Sequence, residues 1–166
     1  MSEVTQKIMD ALDAVSGSAA SAYVKIDGKR YCMMQLYKFE AKMEVQTSDV
    51  AILGRRNKGT KPSGWKGTWS GTAHYNQSVL RQLLLEYEKN GKLPRFDIQI
   101  TNEDPTASVG RQTIVLKDCL TKGGVLAKFD ASSDSPLEED LEGTFEAWDM
   151  PEKFSLLAGM TDLQTY

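Results

Sequence analysis

Over residues 2–16, hydrophobic positions recur at three- and four-residue spacing. Val4, Ile8, Ala11, Leu12 and Val15 share one helical face. This predicts an N-terminal helical arm, and the small-residue run at 16–22 reads as the linker after it. From Tyr23 the period changes to two. Asp27-Gly28 between apolar runs predicts a hairpin with a long second arm. Along that arm Tyr37, Phe39, Ala41, Met43 and Val45 form a face to be buried, while Lys38, Glu40, Lys42, Glu44 and Gln46 face water. Residues 54–64 have no period and many glycines, which predicts a loop. Strict alternation resumes over 65–75, placing Trp65, Gly67, Trp69, Gly71, Ala73 and Tyr75 together. Large residues alternating with small ones fit a strongly curved sheet or a small barrel.

Residues 76–94 read as one firm helix. Asn76 or Ser78 can cap it, Val79, Leu80, Leu83, Leu84 and Tyr87 form its stripe, and Asn90-Gly91 stops it ahead of Pro94. Strands return at Phe96–Thr101, over 111–120 and over 123–130. A last strand runs over 140–148, with Leu141, Gly143, Phe145 and Ala147 on one face, and Pro151 suits its end. The count is six or seven strands with no βαβ alternation. The predicted fold is mainly β, an antiparallel sandwich or short barrel with one flanking α-helix and the N-terminal arm. The segments are 1–22 (arm and linker), 23–154 (β-domain) and 155–166 (tail).

Composition changes this picture little. At 166 residues, 40% hydrophobic and 26% charged, the chain suits one globular domain with a real core. A net charge of -3 gives no overall attraction to nucleic acid. No apolar run is long enough to cross a bilayer, and the acidic start is unlike a secretory signal, so assembly in a cytoplasm is expected. Cys32 and Cys119 form no CxxC pair and are expected to be reduced and mostly buried.

The distribution of charge matters more. Residues 54–69 carry Arg55, Arg56, Lys58, Lys61 and Lys66 with no acid, whereas residues 130–152 carry nine acids with no Lys or Arg. The two regions can pair within one subunit or across a repeated head-to-tail contact. Enzyme chemistry finds no constellation. His74 is the one histidine, on the polar face of a strand, and no GxSxG, HExxH or calcium-loop register occurs. The run 54–61 is not a phosphate loop, because Thr60 stands where the lysine belongs and a strand follows instead of a helix.

The run "ILGRRNKGTKPSGWKGTWSGTAHYNQSVLRQLLLEYEKNGKLPRFDIQITNEDP" resembles the tail tube proteins of contractile-tailed phages, in particular the PBSX-type prophage group. "LEEDLEGTFEAWDMPEKF" resembles that family's acidic C-terminal strand, and "YVKIDGKR" falls where the family has a hairpin. The arm before Tyr23 and the tail after Phe154 are longer than the family pattern.

The resemblance implies a structural subunit, not an enzyme, with no cofactor, metal or small-molecule ligand. Such subunits form hexameric rings stacked into a hollow tube inside a contractile sheath. The tube conducts DNA in a virion or pierces a membrane in a tail-like bacteriocin. The implied partners are further copies of itself, the sheath, baseplate and tape-measure proteins, and passing DNA in transient non-specific contact. The implied location is the virion tail, assembled in the host bacterial cytoplasm. Lys38, Glu40, Lys42 and Glu44 become candidates for the lumen wall, which should be near neutral or acidic so as not to stall a polyanion. Arg55, Arg56, Lys58 and Lys61 become candidates for a contact between subunits or rings, against Glu138, Glu139, Asp140 and Glu142. Two other readings remain: a secretion-system tube of similar architecture, and a soluble β-sandwich module whose basic loop grips an acidic ligand or nucleic acid.

Overall fold

The computed structural model describes residues 9–33 and 35–157. Eight strands and one α-helix follow in the order β1 (Ala20–Ile26), β2 (Lys29–Cys32), β3 (Leu36–Val50), β4 (Gly59–His74), α1 (Val79–Asn90), β5 (Phe96–Glu103), β6 (Arg111–Thr121), β7 (Glu138–Phe145) and β8 (Ala147–Glu152). Every pairing is antiparallel. One layer runs β2-β1-β5-β6 with β8 on the far side of β6, and the other runs β3-β4-β7. β6 belongs to both layers: its body pairs with β5 and β8, and its last residues, Leu120 and Thr121, pair with Thr144 and Gly143 of β7.

The Asp27-Gly28 hairpin forms as expected. Both residues have positive φ, 49° and 78°, which a two-residue turn of this hand requires. The hairpin's second arm is not one long strand. β2 ends at Cys32, and the chain crosses to the other layer before β3 begins. At that start a register shift between Leu36 and Lys38 extrudes Tyr37. Leu36 therefore takes the core-facing place expected for Tyr37, whose ring lies 5.1 Å from that of His74.

Between the layers Trp69 meets Phe96 edge-on at 6.0 Å and stacks on Phe39 at 6.1 Å. Ile98, Leu116, Leu141, Phe145 and Cys119 complete the core. Small residues make this possible. A Cβ on Gly143 would collide with the Leu120 carbonyl oxygen and the Trp69 ring, so only glycine lets β6 and Trp69 approach β7 there. Helix α1 closes one end of the sandwich with Leu83. Gly91, at φ 70°, caps it through its N–H to the Tyr87 carbonyl.

Several expectations give way. The residue 2–16 helix lies partly outside the described residues, and its described part holds a single 3-10 turn, Ala11–Asp13. The expected linker is strand from Ala20, held by β5. Residues 123–130 are not a strand: Gly123 has φ 133°, and the carbonyls of Val125 and Leu126 accept side-chain hydrogen bonds in place of ladder bonds. The last strand is two strands, because Glu146 turns the chain from β7 into the opposite layer as β8. Pro151 sits in β8, which pairs on one side only. Tyr87 is exposed, not part of a buried stripe, and Cys32 is exposed on β2, while Cys119 is buried and its thiol pushed up to about 12 by desolvation.

Candidate assembly surfaces

The β3–β4 hairpin outgrows the sandwich. β7 accompanies β4 only from Gly67 to His74, so from Lys66 to the tip the two strands stand alone as a ribbon. A shift between Gln46 and Thr47 skips Ser63, and Pro62 is tolerated beside this irregularity. The expected loop therefore ends early: Arg55, Arg56 and Lys58 lie in the turn, while Lys61 sits in the ribbon opposite Ser48. The core-facing stripe of β3 and β4 continues along the ribbon after the other layer has ended. Met43, Val45 and Trp65 are consequently 44%, 52% and 38% exposed. From Ala41 onward the β3 face predicted to be buried is open to solvent in the single chain, while Phe39 packs on the core. Two-stranded ribbons are marginal on their own, so this arm has one apolar side without a cover among the described residues.

The opposite face of the same layer is polar. Reading across the strands, Lys38 aligns with Thr72 and Asp140, Glu40 with Ser70 and Glu142, and Glu44 with Lys66. Lys38, Glu40, Asp140, Glu142 and Lys122 line a shallow hollow of about 520 Å³. The Thr72 hydroxyl donates to Asp140 at 3.1 Å, and Lys42 pairs with Glu40 at 3.1 Å. Both members of that pair are exposed, which makes it worth about 0–1 kcal/mol. Sequence reasoning divided Lys38–Glu44 and Asp140–Glu142 between two surfaces, whereas the register brings them onto one. Glu138 extends it, aligned with His74, and its carboxylate beside the extruded Tyr37 pushes that phenol up to about 12.

Glu139 has a different place. It points inward, 8% exposed, and meets Arg81 of α1 at 2.6 Å. Arg81 also donates to the carbonyls of Val125 and Gln77 and lies 4.3 Å over the Tyr75 ring. Glu139 is thus engaged within its own chain and is not free to meet a basic loop. Sequence reasoning missed Arg81, although an arginine between the apolar positions of a buried helix stripe is itself a signal of a paired interior charge.

The basic tip and the acidic group lie at opposite ends of one strand. The tip adjoins Gly59, and Glu138 aligns with His74 at the other end of β4. At about 3.3 Å per residue the separation is roughly 45–50 Å. Among the described residues Arg55, Arg56, Lys58 and Lys61 form no ion pair. No group of three His, Cys, Asp or Glu able to hold a metal occurs among those residues either.

These surfaces suit repeated association better than catalysis, and comparison with known proteins decides the class. A family model described as "Phage tail tube protein" matches residues 7–152. The chain belongs to this family. Tail tube proteins are structural, not enzymes, and the chain's mostly antiparallel sheet with a single helix is of their kind. Among its relatives is the phage-like element PBSX protein XkdM of Bacillus subtilis (strain 168). It is 33% identical over 147 residues, 89% of this chain and 97% of that protein. The uncharacterized protein YqbM of the same strain is 31% identical over 145 residues, 87% and 95% of the two chains. The tail tube resemblance read from the sequence is thereby borne out. In fold the chain is similar to one from the anti-feeding prophage baseplate, with a TM-score of 0.62 at 13% identity over 82% of this chain and 94% of that one. It is also similar to one from the sheath–tube complex of an extracellular contractile injection system, with a TM-score of 0.59 at 12% identity over 78% and 86%.

Proposed function

We propose that the chain is the repeating subunit of a tail tube, forming hexameric rings that stack into a hollow conduit inside a contractile sheath. The observation that carries this is the β3–β4 arm. It is a ribbon with an uncovered apolar side and a free β3 edge, tipped with unpaired basic residues, while Asp140 and Glu142 stand far away at the other end of the same layer. A surface that its own chain cannot satisfy, with its complement at the opposite end, propagates from copy to copy. The polar face fits the lumen wall: Lys38, Lys42, Lys66 and Lys122 are balanced there by Glu40, Glu44, Asp140 and Glu142, so a near-neutral surface lets a polyanion pass without being held. Arg55, Arg56, Lys58 and Lys61 serve the contact between rings, against Glu138, Asp140 and Glu142. The sheath takes the outer surface, the baseplate and tape-measure proteins meet the tube's ends and interior, and the particle is built in the host bacterial cytoplasm.

Electron microscopy of the concentrated protein, with a baseplate fraction as nucleus, tests the reading. Hollow rods with six-fold end views are expected. The double variant Arg55→Glu, Arg56→Glu should stay folded and lose the rods. Rods unchanged in that variant sink the basic contact, and a wild-type chain that never polymerises sinks the tube.

A further inference from the structure

Among the described residues, the segment Gly123–Pro136 carries the most exposed large hydrophobic side chains outside the arm. Phe129 is 89% exposed and Leu126 is 70% exposed. It is held in shape all the same. Arg81 donates to the Val125 carbonyl at 3.4 Å, Tyr75 to the Leu126 carbonyl at 3.2 Å, and Lys128 to the Glu138 carbonyl at 2.9 Å, while Ser132 closes a turn on Asp130. The chain fixes this loop with Leu126 and Phe129 turned outward and Asp130 and Asp134 beside them. A pre-shaped knob loses little freedom when it binds.

We propose that this loop of one copy docks on the apolar side of the β3–β4 arm of a second copy, with Phe129 as the anchor. The receiving stripe is Met43, Val45 and Trp65, and it runs into a groove of about 310 Å³ lined by Met43, Phe39, Ile100, Ile114, Phe145 and Trp148. An apolar cavity of about 150 Å³ is enough to hold a benzene ring. Lys42 also lines that groove, and its charge matches Asp130 and Asp134. Knob and stripe cannot meet within one chain, because the loop is tied to the Glu138 end of the layer and the stripe lies toward the tip. The contact is therefore head to tail, between rings. It rests on the stacked-tube reading and gives that reading an apolar anchor in addition to charge.

Two proteins, each with Cys32→Ser, test it: one carries Phe129→Cys and the other Val45→Cys. Mixed, assembled and mildly oxidised, they should give a disulfide-linked dimer that neither gives alone. Tubes containing both proteins but no mixed dimer, or dimers of the Phe129→Cys protein with itself, would overturn the proposal while leaving the tube intact. Absence of any tube from the unsubstituted chain defeats both. Phe129→Ser should raise the concentration needed for tubes tenfold or more and leave single rings intact, whereas Phe129→Leu should preserve most stacking. Equal behaviour of the two would also refute the anchor.

Discussion

Replacing Arg81 with methionine isolates the strongest interior contact described above. The substitution keeps helix propensity and much of the side-chain volume and leaves the Glu139 carboxylate of β7 buried beneath α1 without its guanidinium. Removing one partner of a buried ion pair costs about 3–5 kcal/mol. Arg81's side chain is 18% exposed and that of Glu139 9%, so the lower end, about 3 kcal/mol, applies. For a chain of this size each kcal/mol moves the midpoint by roughly 2–4 °C, so Tm should fall by roughly 6–12 °C. With a urea m-value of roughly 2 kcal/mol/M, the unfolding midpoint should fall by roughly 1.5 M at unchanged slope. The double variant Arg81→Met, Glu139→Leu removes both charges and should return to within about 1 kcal/mol of the parent. Urea titrations of the unassembled subunit read all three proteins. A single variant within about 1 kcal/mol of the parent, or a double variant no more stable than the single one, refutes the account of a desolvated, mutually dependent pair.

The thiols offer a simpler check. In mildly alkaline buffer a disulfide reagent should titrate Cys32 alone in the folded chain and both cysteines after denaturation. Rapid modification of both in the native protein would contradict the burial of Cys119. Asp104 gives a pH dependence. Hydrogen bonds from the Thr106 hydroxyl, then from the Ser16 and Thr106 amides, hold its carboxyl below the ordinary range. A depressed folded value means the stabilisation is present above about 3.9 and is lost as pH falls through the lowered value. Stability of Asp104→Ala should therefore change less with acidification in that window than that of the parent, and parallel curves for the two would refute it.

The elements whose signals are local were legible in the sequence. Asp27-Gly28 can make only one kind of turn, the Trp65–Ala73 alternation fixes a face, and Asn90-Gly91 stops a helix wherever that helix packs. What was hidden is which layer a strand joins. Alternation over 140–148 is the same whether the chain continues straight or turns at Glu146, and only pairing with β6 tells β7 from β8. The extrusion of Tyr37 was hidden for a related reason, since a bulge is imposed by the partner strand's register and leaves no trace in the period. The candidate surfaces were half legible. Charge segregation marked the tip and the acids, but that Asp140 shares a face with Lys38 while Glu139 turns in to Arg81 depends on parity along β7 and on the helix whose Arg81 reaches it.

The unaccompanied arm has a further consequence in time. β3 and β4 are neighbours in sequence and can zip together as soon as both have left the ribosome, but Trp69 must wait for Gly143, and Tyr23 for Gln99. Pairings between residues so far apart form slowly. A nascent subunit therefore spends its early life as a lone ribbon with one oily side, in a cell filling with identical ribbons. Pro62, the skipped Ser63 and the lysines at 42, 61 and 66 interrupt the smooth edges that such ribbons would need in order to fuse. The irregularities of the arm are then a quarantine, keeping copies apart until the rest of each chain has arrived.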